Sequence, residues 1–252
     1  MKKGLRFFVF CCVLFGLPGG SAKSQSQQKE ANVKITFINC IGNQPVVLDS
    51  TYTNCWNESF TISRLKYYIS NIALQTNGHT MIREPNSYHL VNEADDFSKS
   101  FSFYLPPENY TSLSFLIGVD SLKNVSGAQT DVLDPLNGMF WTWNSGYIMF
   151  KMEGNSPQSS AVNNKMEYHI GGFSGADKAV KKVTIHFPGA AVSLNNKNIT
   201  EIIILTNLDK LWNATSELKI THAPVCTTPG VLAASIAGNY AQAFEIVKIV
   251  QQ

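Results

Sequence analysis

The chain is short of charge and shorter still of catalytic signatures. Asp, Glu, Lys and Arg make up 15% of its 252 residues, twenty basic against eighteen acidic, for a formal net charge of +2. So even a balance leaves no basic footprint for nucleic acid. There is no GxSxG elbow, HExxH pair, P-loop or dinucleotide-binding glycine fingerprint, and the five histidines, at 79, 89, 169, 186 and 222, lack paired-ligand spacing. Nothing proposes a nucleophile, and the chain reads as a protein without catalytic activity. No internal repeat or interior linker divides it. Past the N-terminus no apolar run approaches the length of a membrane-spanning helix.

The N-terminus reads as a secretory signal peptide over residues 1–22: Lys2, Lys3 and Arg6 precede an apolar run at 7–17, followed by Pro18 and small residues to Ala22. The mature protein is therefore expected to be periplasmic or secreted. Cys11 and Cys12 follow Phe10 and Phe8 rather than the small residues of a lipoprotein signal, which disfavours a lipid anchor. Residues 23–31 are rich in Ser, Gln and Lys and read as a flexible tether, leaving one domain at 32–252. Without the three leader cations the formal charge falls from +2 to −1 (2 − 3). Export also leaves three cysteines in an oxidising compartment. Cys40 and Cys55 flank a turn-rich stretch and are expected to form a disulfide across the first strand pair. Cys226 then remains as a free thiol or as the partner of either.

Short apolar runs separated by Gly, Pro and Asn fill the remainder. Lys34 and Thr36 alternate with Val33, Ile35 and Phe37, and Val, Ile, Thr, Tyr and Phe dominate the runs, which predicts strands. Together they predict an all-β fold, an antiparallel β-sandwich with a few short helices. Helical signals are confined to 63–71, where Leu65, Ile69 and Ile72 follow helix-like spacing, to one turn at 208–212, and to 231–242.

Residues 137–154, NGMFWTWNSGYIMFKMEG, are the most specific segment. In an extended strand Trp141 and Trp143 would share one face, an electron-rich surface of two indoles; as core residues they would simply pack a sandwich. Among the histidines, His169 in YHIGGF lies near Met166 and before Gly171 and Gly172, a candidate imidazole and thioether pair for copper. His89 in SYHLV is a second candidate. On spacing alone both read first as structural histidines and second as ligands, and Met166 as core. His186 is expected to face outward and His79 to sit at a hairpin tip.

The same segments carry a resemblance. GVDSLKN from Gly118, LDP from Leu133, GMFWTWNSGY, KMEG, YHIGGF, and also RLKYYISNIALQ, YHLV and IAGNYAQAFEI closely resemble the MbnP-like family of periplasmic copper-binding proteins, named for a partner of methanobactin biosynthesis. The resemblance implies copper held by histidine together with a kynurenine made from tryptophan by a di-haem cytochrome c peroxidase-like (MauG-like) partner. It carries the modified residue onto Trp141 or Trp143 and the imidazole onto His169, with His89 as the second ligand. A rival expectation is a calcium-stabilised extracellular binding or adhesion module, with Ca²⁺ caged by Asp120, Asn124, Asp131, Asp134 and Asn137; such residues more often cap turns.

Overall fold

The computed structural model describes residues 30–127, 129–142, 145–189 and 191–252; the expected signal peptide, Cys11, Cys12 and Trp143 lie outside them. Sixteen strands follow in chain order: β1 Ala31–Ile41, β2 Gln44–Pro45, β3 Thr51–Thr53, β4 Ser59–Thr61, β5 Arg64–Thr76, β6 Met81–Arg83, β7 Tyr88–Asn92, β8 Ser100–Leu105, β9 Asn109–Ile117, β10 Ile148–Asn155, β11 Lys165–Gly171, β12 Lys181–His186, β13 Val192–Ser193, β14 Ile199–Asn207, β15 Val225–Cys226 and β16 Phe244–Gln251. The helices are α1 Ser121–Val125 and α2 Val231–Tyr240.

Two sheets build the sandwich. The first runs β16-β14-β1-β2, with β8 also on β1; the second runs β12-β9-β5-β10-β11-β15, with β6 and β7 on β5 and β13 on β9. Pairing is mostly antiparallel, but β1 lies parallel to β14 from Asn32 opposite Ile199 to Cys40 opposite Asn207, and β11 lies parallel to β15. β1 shows why these residues make a strand. Val33, Ile35 and Phe37 are buried between the sheets, while Lys34 pairs with Glu201 at 3.0 Å and Thr36 donates to the same carboxylate at 2.7 Å on the other face. Phe37 meets Tyr67 and Phe115 edge-on, and Phe150 stacks on Tyr240. Each such buried ring contributes on the order of 2 kcal/mol from burial alone.

The helix-like spacing at 63–71 is overridden. Arg64–Thr76 is a thirteen-residue strand, because consecutive Tyr67, Tyr68 and Ile69 favour a pleated surface and both faces of β5 are covered. The turn Leu208–Leu211 and α2 form where the pattern places them. Nor do the described residues of FWTWNSGY make the expected strand. Phe140 and Tyr147 make an isolated antiparallel bridge, Trp141 N donates to Gly146 O, and Gly146 N donates to Thr142 O at 2.7 Å, so Trp141 and Thr142 are paired back onto Gly146 and the strand begins only at Ile148. Gly146, at φ +73°, supplies the left-handed residue this reversal needs.

Between β9 and β10 the chain leaves the sheet and lies across the outer face of the second sheet. Buried Asn124 organises this excursion, donating to Val119 O and Asp120 O and accepting from Tyr147 N at 2.9 Å. From the sheet, Tyr68 OH donates to Val132 O, Lys66 Nζ to Asn137 O at 3.0 Å and Lys151 Nζ to Gly138 O.

Candidate metal centre

Strand alternation sorts the candidate ligands by face. On β11 the residues Met166, Tyr168 and Ile170 are buried between the sheets, and Lys165, Glu167, His169 and Gly171 occupy the outer face. Met166 and His169, three apart, therefore lie on opposite faces, and the expected thioether and imidazole pair is not assembled. His89 is also separated. It stands opposite Ile69 on β5, whereas His169 stands opposite Lys151 and Lys151 opposite Lys66; Lys66 and Ile69 are three apart and face opposite ways. The His89 ring stacks on Phe101 of the first sheet, centroids 3.5 Å apart, and its Nε2 lies 2.9 Å from Glu84 Oε1. It is a structural histidine.

His169 has other company. Its Nε2 is 2.7 Å from Glu153 Oε1 on β10 and 3.4 Å from Glu167 Oε1 on β11, and these three side chains place one ligand atom each within 4.8 Å of one another. Among the described residues this is the group of His, Cys and carboxylate donors close enough to hold a metal ion. All three are partly buried. Arg64 pairs with Glu153, Lys165 Nζ lies 2.6 Å from Glu167 Oε2, and Lys151 Nζ lies 3.8 Å from Glu153 Oε1.

Burial pushes the His169 imidazole below its ordinary value; the bond to Glu153 opposes that shift without cancelling it, and the charge of Lys151 reinforces it. Burial pushes the Glu153 carboxyl upward, but the His169 bond and the charges of Arg64, His169 and Lys151 outweigh it, and the carboxyl stays below its ordinary range. A neutral imidazole beside ionised carboxylates is the protonation state that binds a metal.

Trp141 completes the picture. A Cβ on Gly171 would stand 2.4 Å from Cζ3 and 2.8 Å from Cη2 of the Trp141 ring, so the half-buried indole lies directly on the backbone of Gly171. Gly171 is two residues from His169 on the same face, about 6.6 Å along the strand. Sequence reasoning named Trp141 and His169, which lie along one strand face, but missed Glu153 and Glu167. Glu167 was available from its i−2 spacing to His169; Glu153 arrives only through the β10–β11 register, where it faces Glu167.

The loop residues of the calcium expectation are engaged in turns. Asp120 accepts from Lys123 N, Asn71 Nδ2 and Tyr88 OH, Asp134 accepts from Leu136 N, and Asn137 Nδ2 donates to Asp131 O and Val132 O. The cysteines differ from expectation too. Cys40, Cys55 and Cys226 are all free thiols, and the Cys40–Cys55 bridge is absent: Cys40 is buried at the end of β1, while Cys55 is exposed in the turn between β3 and β4. Burial first, then nearby acidic groups that include Asp209, pushes both thiols up. His79 sits at the exposed β5–β6 turn and His186 is exposed on β12, as expected. Among the described residues no helix is long and apolar enough to cross a membrane.

Comparison with known proteins agrees with this architecture. No curated protein matches the chain. Among solved structures it is similar to MbnP from Methylosinus trichosporium, at 14% identity and a TM-score of 0.53 over 79% of this chain and 83% of that one, a likeness of fold. The profile of the MbnP family matches residues 30–228, from the start of β1 past the Trp141 loop and β11, and the chain belongs to that family.

Proposed function

We propose that this protein is an exported copper-binding member of the MbnP family that holds its metal at His169, and that it is a substrate of a redox partner rather than a catalyst. The observation that supports this reading is the juxtaposition of Trp141, lying on Gly171, with His169 on the same strand face. Imidazole ligates copper in either oxidation state, and burial favours the neutral ring that binds. Oxidative cleavage of the indole C2–C3 bond adds two oxygen atoms, and hydrolysis then releases C2 as formate, so that kynurenine has one carbon fewer and one oxygen more and offers an aryl amine and a carbonyl as new donors. Trp141, on the strand face that carries the imidazole, is the residue favoured for that role, with Trp143 the alternative by sequence. A di-haem peroxidase-like cytochrome supplies the oxidising equivalents, and the signal peptide at residues 1–22 delivers the chain to the periplasm or beyond.

The test is copper retention in protein from its native host. His169→Ala should lower it far more than His79→Ala, since both remove an imidazole but only the first removes one beside Trp141. Tandem mass spectrometry of the tryptic peptide ending at Lys151 should find kynurenine at a single tryptophan when the partner is present. Equal copper stoichiometry and affinity in the two variants would refute the site.

A further inference from the structure

Arg83 and Lys182 stand apart from other cations of the sheets. Lys34, Arg64, Lys99 and Lys165 are each paired with a carboxylate. Among the described residues the Arg83 guanidinium and the Lys182 ammonium have no ion-pair or hydrogen-bond partner. Strand register brings these two to one place. Arg83 on β6 lies opposite Ala73 on β5, Ala73 lies opposite Ser114 on β9, and Lys182 on β12 lies opposite Leu116, two residues along β9 from Ser114. Residues directly opposite one another, and residues two apart on a strand, share a face, so all five lie on one side of the sheet. It is the outer side, because the intervening Phe115 packs inward on Phe37 of the first sheet.

Between the two cations the surface is hollow. Ala73 and Ser114 are small and buried, and the longer side chains of Arg83, Met81, Leu116 and Lys182 leave a pocket of about 270 Å³ above them. Pockets for drug-sized ligands run to about 300–1,000 Å³, so this one admits a single small group. No carboxylate lines it. Asn71, on its wall, gives its Nδ2 to Asp120, and that carboxylate also accepts from Tyr88 OH and Lys123 N, so it is engaged without either cation. One planar fork of donors and one mobile ammonium, both uncompensated, match a tetrahedral dianion. Ser114 Oγ reaches Ala73 O only at 3.4 Å, a long bond that the hydroxyl can exchange for a third contact to the anion. We propose that Arg83, Lys182 and Ser114 form a phosphate-binding pocket that holds one phosphate group, free or at the end of a monoester. The pocket lies about 20 Å along β5 from Lys66, which adjoins the His169 centre through Lys151, and it stands independently of the copper reading.

The experiment titrates the full mature chain with inorganic phosphate, replacing chloride at constant ionic strength, and follows backbone amide shifts by nuclear magnetic resonance. Saturable shifts should concentrate at Arg83, Ser114 and Lys182. Hydrogen bonds to charged groups are the strong ones, so Arg83→Gln should weaken binding by about tenfold and Lys182→Gln by about fivefold. Arg83→Lys keeps the charge and loses the fork, and should fall between the native chain and Arg83→Gln. Lys248→Gln removes an exposed cation from β16 of the first sheet and should change nothing. Acetate, with one charge and two oxygens, should bind at least about fivefold more weakly than phosphate. Glycerol 3-phosphate separates two sources of the same group: binding tighter than inorganic phosphate identifies a monoester such as a lipid headgroup, weaker binding identifies free phosphate, and both support the pocket. No saturable shift at these residues, or equal weakening in Lys248→Gln, would overturn the proposal and leave the two cations as charges that guard β6 and β12 against edge pairing. Acetate binding as tight as phosphate would overturn the assignment to phosphate. The amide spectrum identifies a variant that fails to fold, and the other glutamine variant then decides.

Discussion

Two carboxylates on this protein are both shielded from solvent and both ionised, and they are held in opposite ways. Glu58, between β3 and β4 and 4% exposed, accepts from Asn54 Nδ2, Ile220 N and Thr221 N at 2.8 Å each and from Thr221 Oγ1 at 2.9 Å. Four donors fill the acceptor capacity of a carboxylate, and two of them are backbone amides fixed in position. Glu153 is satisfied instead by an arginine that is half exposed, by an imidazole, and at longer range by a lysine. A carboxylate saturated by rigid donors closes a loop. One satisfied by long, hydrated side chains can exchange a partner for a ligand, and it is the second kind that stands beside His169.

Breaking the first kind should cost the most. Glu58→Ala leaves the amide of buried Ile220 and the Nδ2 of buried Asn54 without this acceptor, and each buried unsatisfied group costs about 1–3 kcal/mol, so a loss of roughly 3 kcal/mol is expected in urea unfolding. Copper retention by the folded fraction should not change. Burial raises the Glu58 carboxyl, but the bonds from Asn54, Thr221 and Ile220 outweigh it and hold the carboxyl below its ordinary range. Its folded pKa is depressed, so its stabilisation is present above the ordinary carboxylate value of about 4.3 and is lost as pH falls through the folded value. Glu58→Gln should therefore flatten the acid limb of the stability profile. An acid limb as steep as in the native chain would show that Glu58 is not the clamp described.

A smaller effect is expected where the loop touches the strand. In Gly171→Ala the new Cβ meets the Trp141 ring at 2.4 Å and Tyr147 O at 3.0 Å, and one of them must move. Overpacking of this kind costs about 1–3 kcal/mol. Because the indole is the partner free to tilt outward, its emission should shift to the red and copper retention should fall. A native-like emission spectrum with full copper retention would mean that Trp141 does not depend on this contact for its position.

Much of this contrast was legible in the sequence and some was overlooked there. The alternation in β1 fixed the inward set of Val33, Ile35 and Phe37, and the aromatic density at 137–154 marked the right neighbourhood. Ser145-Gly146 is turn chemistry, and it breaks the strand on which two tryptophans were to stand side by side. The spacing of Met166 to His169 is odd and that of Glu167 to His169 is even, so once β11 is read as a strand the first pair must separate and the second must share a face. Other features had no local signal. The parallel pairing of β1 with β14 joins residues such as Thr36 and Glu201, 165 positions apart, and Glu153 reaches Glu167 only through strand register. Facing also decides against His89, because the side of a sheet a histidine occupies depends on which strands flank it.

The smallest expected effect is at Lys165, and it gives the sharpest test of the distinction between the two carboxylates. Its ammonium lies 2.6 Å from Glu167 Oε2, a shorter separation than any donor distance at Glu58, and a reading by distance alone would rank it the stronger contact. The side chain is 52% exposed, and an ion pair in water contributes only about 0–1 kcal/mol because hydration and side-chain entropy offset the attraction. Lys165→Gln should change stability by less than about 0.5 kcal/mol, with the difference vanishing in high salt. Removing a cation from the face that carries His169 should also raise copper affinity, by about two- to threefold at low ionic strength. A loss of stability comparable to that of Glu58→Ala would place Glu167 among the structural carboxylates. A fall in copper affinity would mean that Lys165 organises the site rather than screening it.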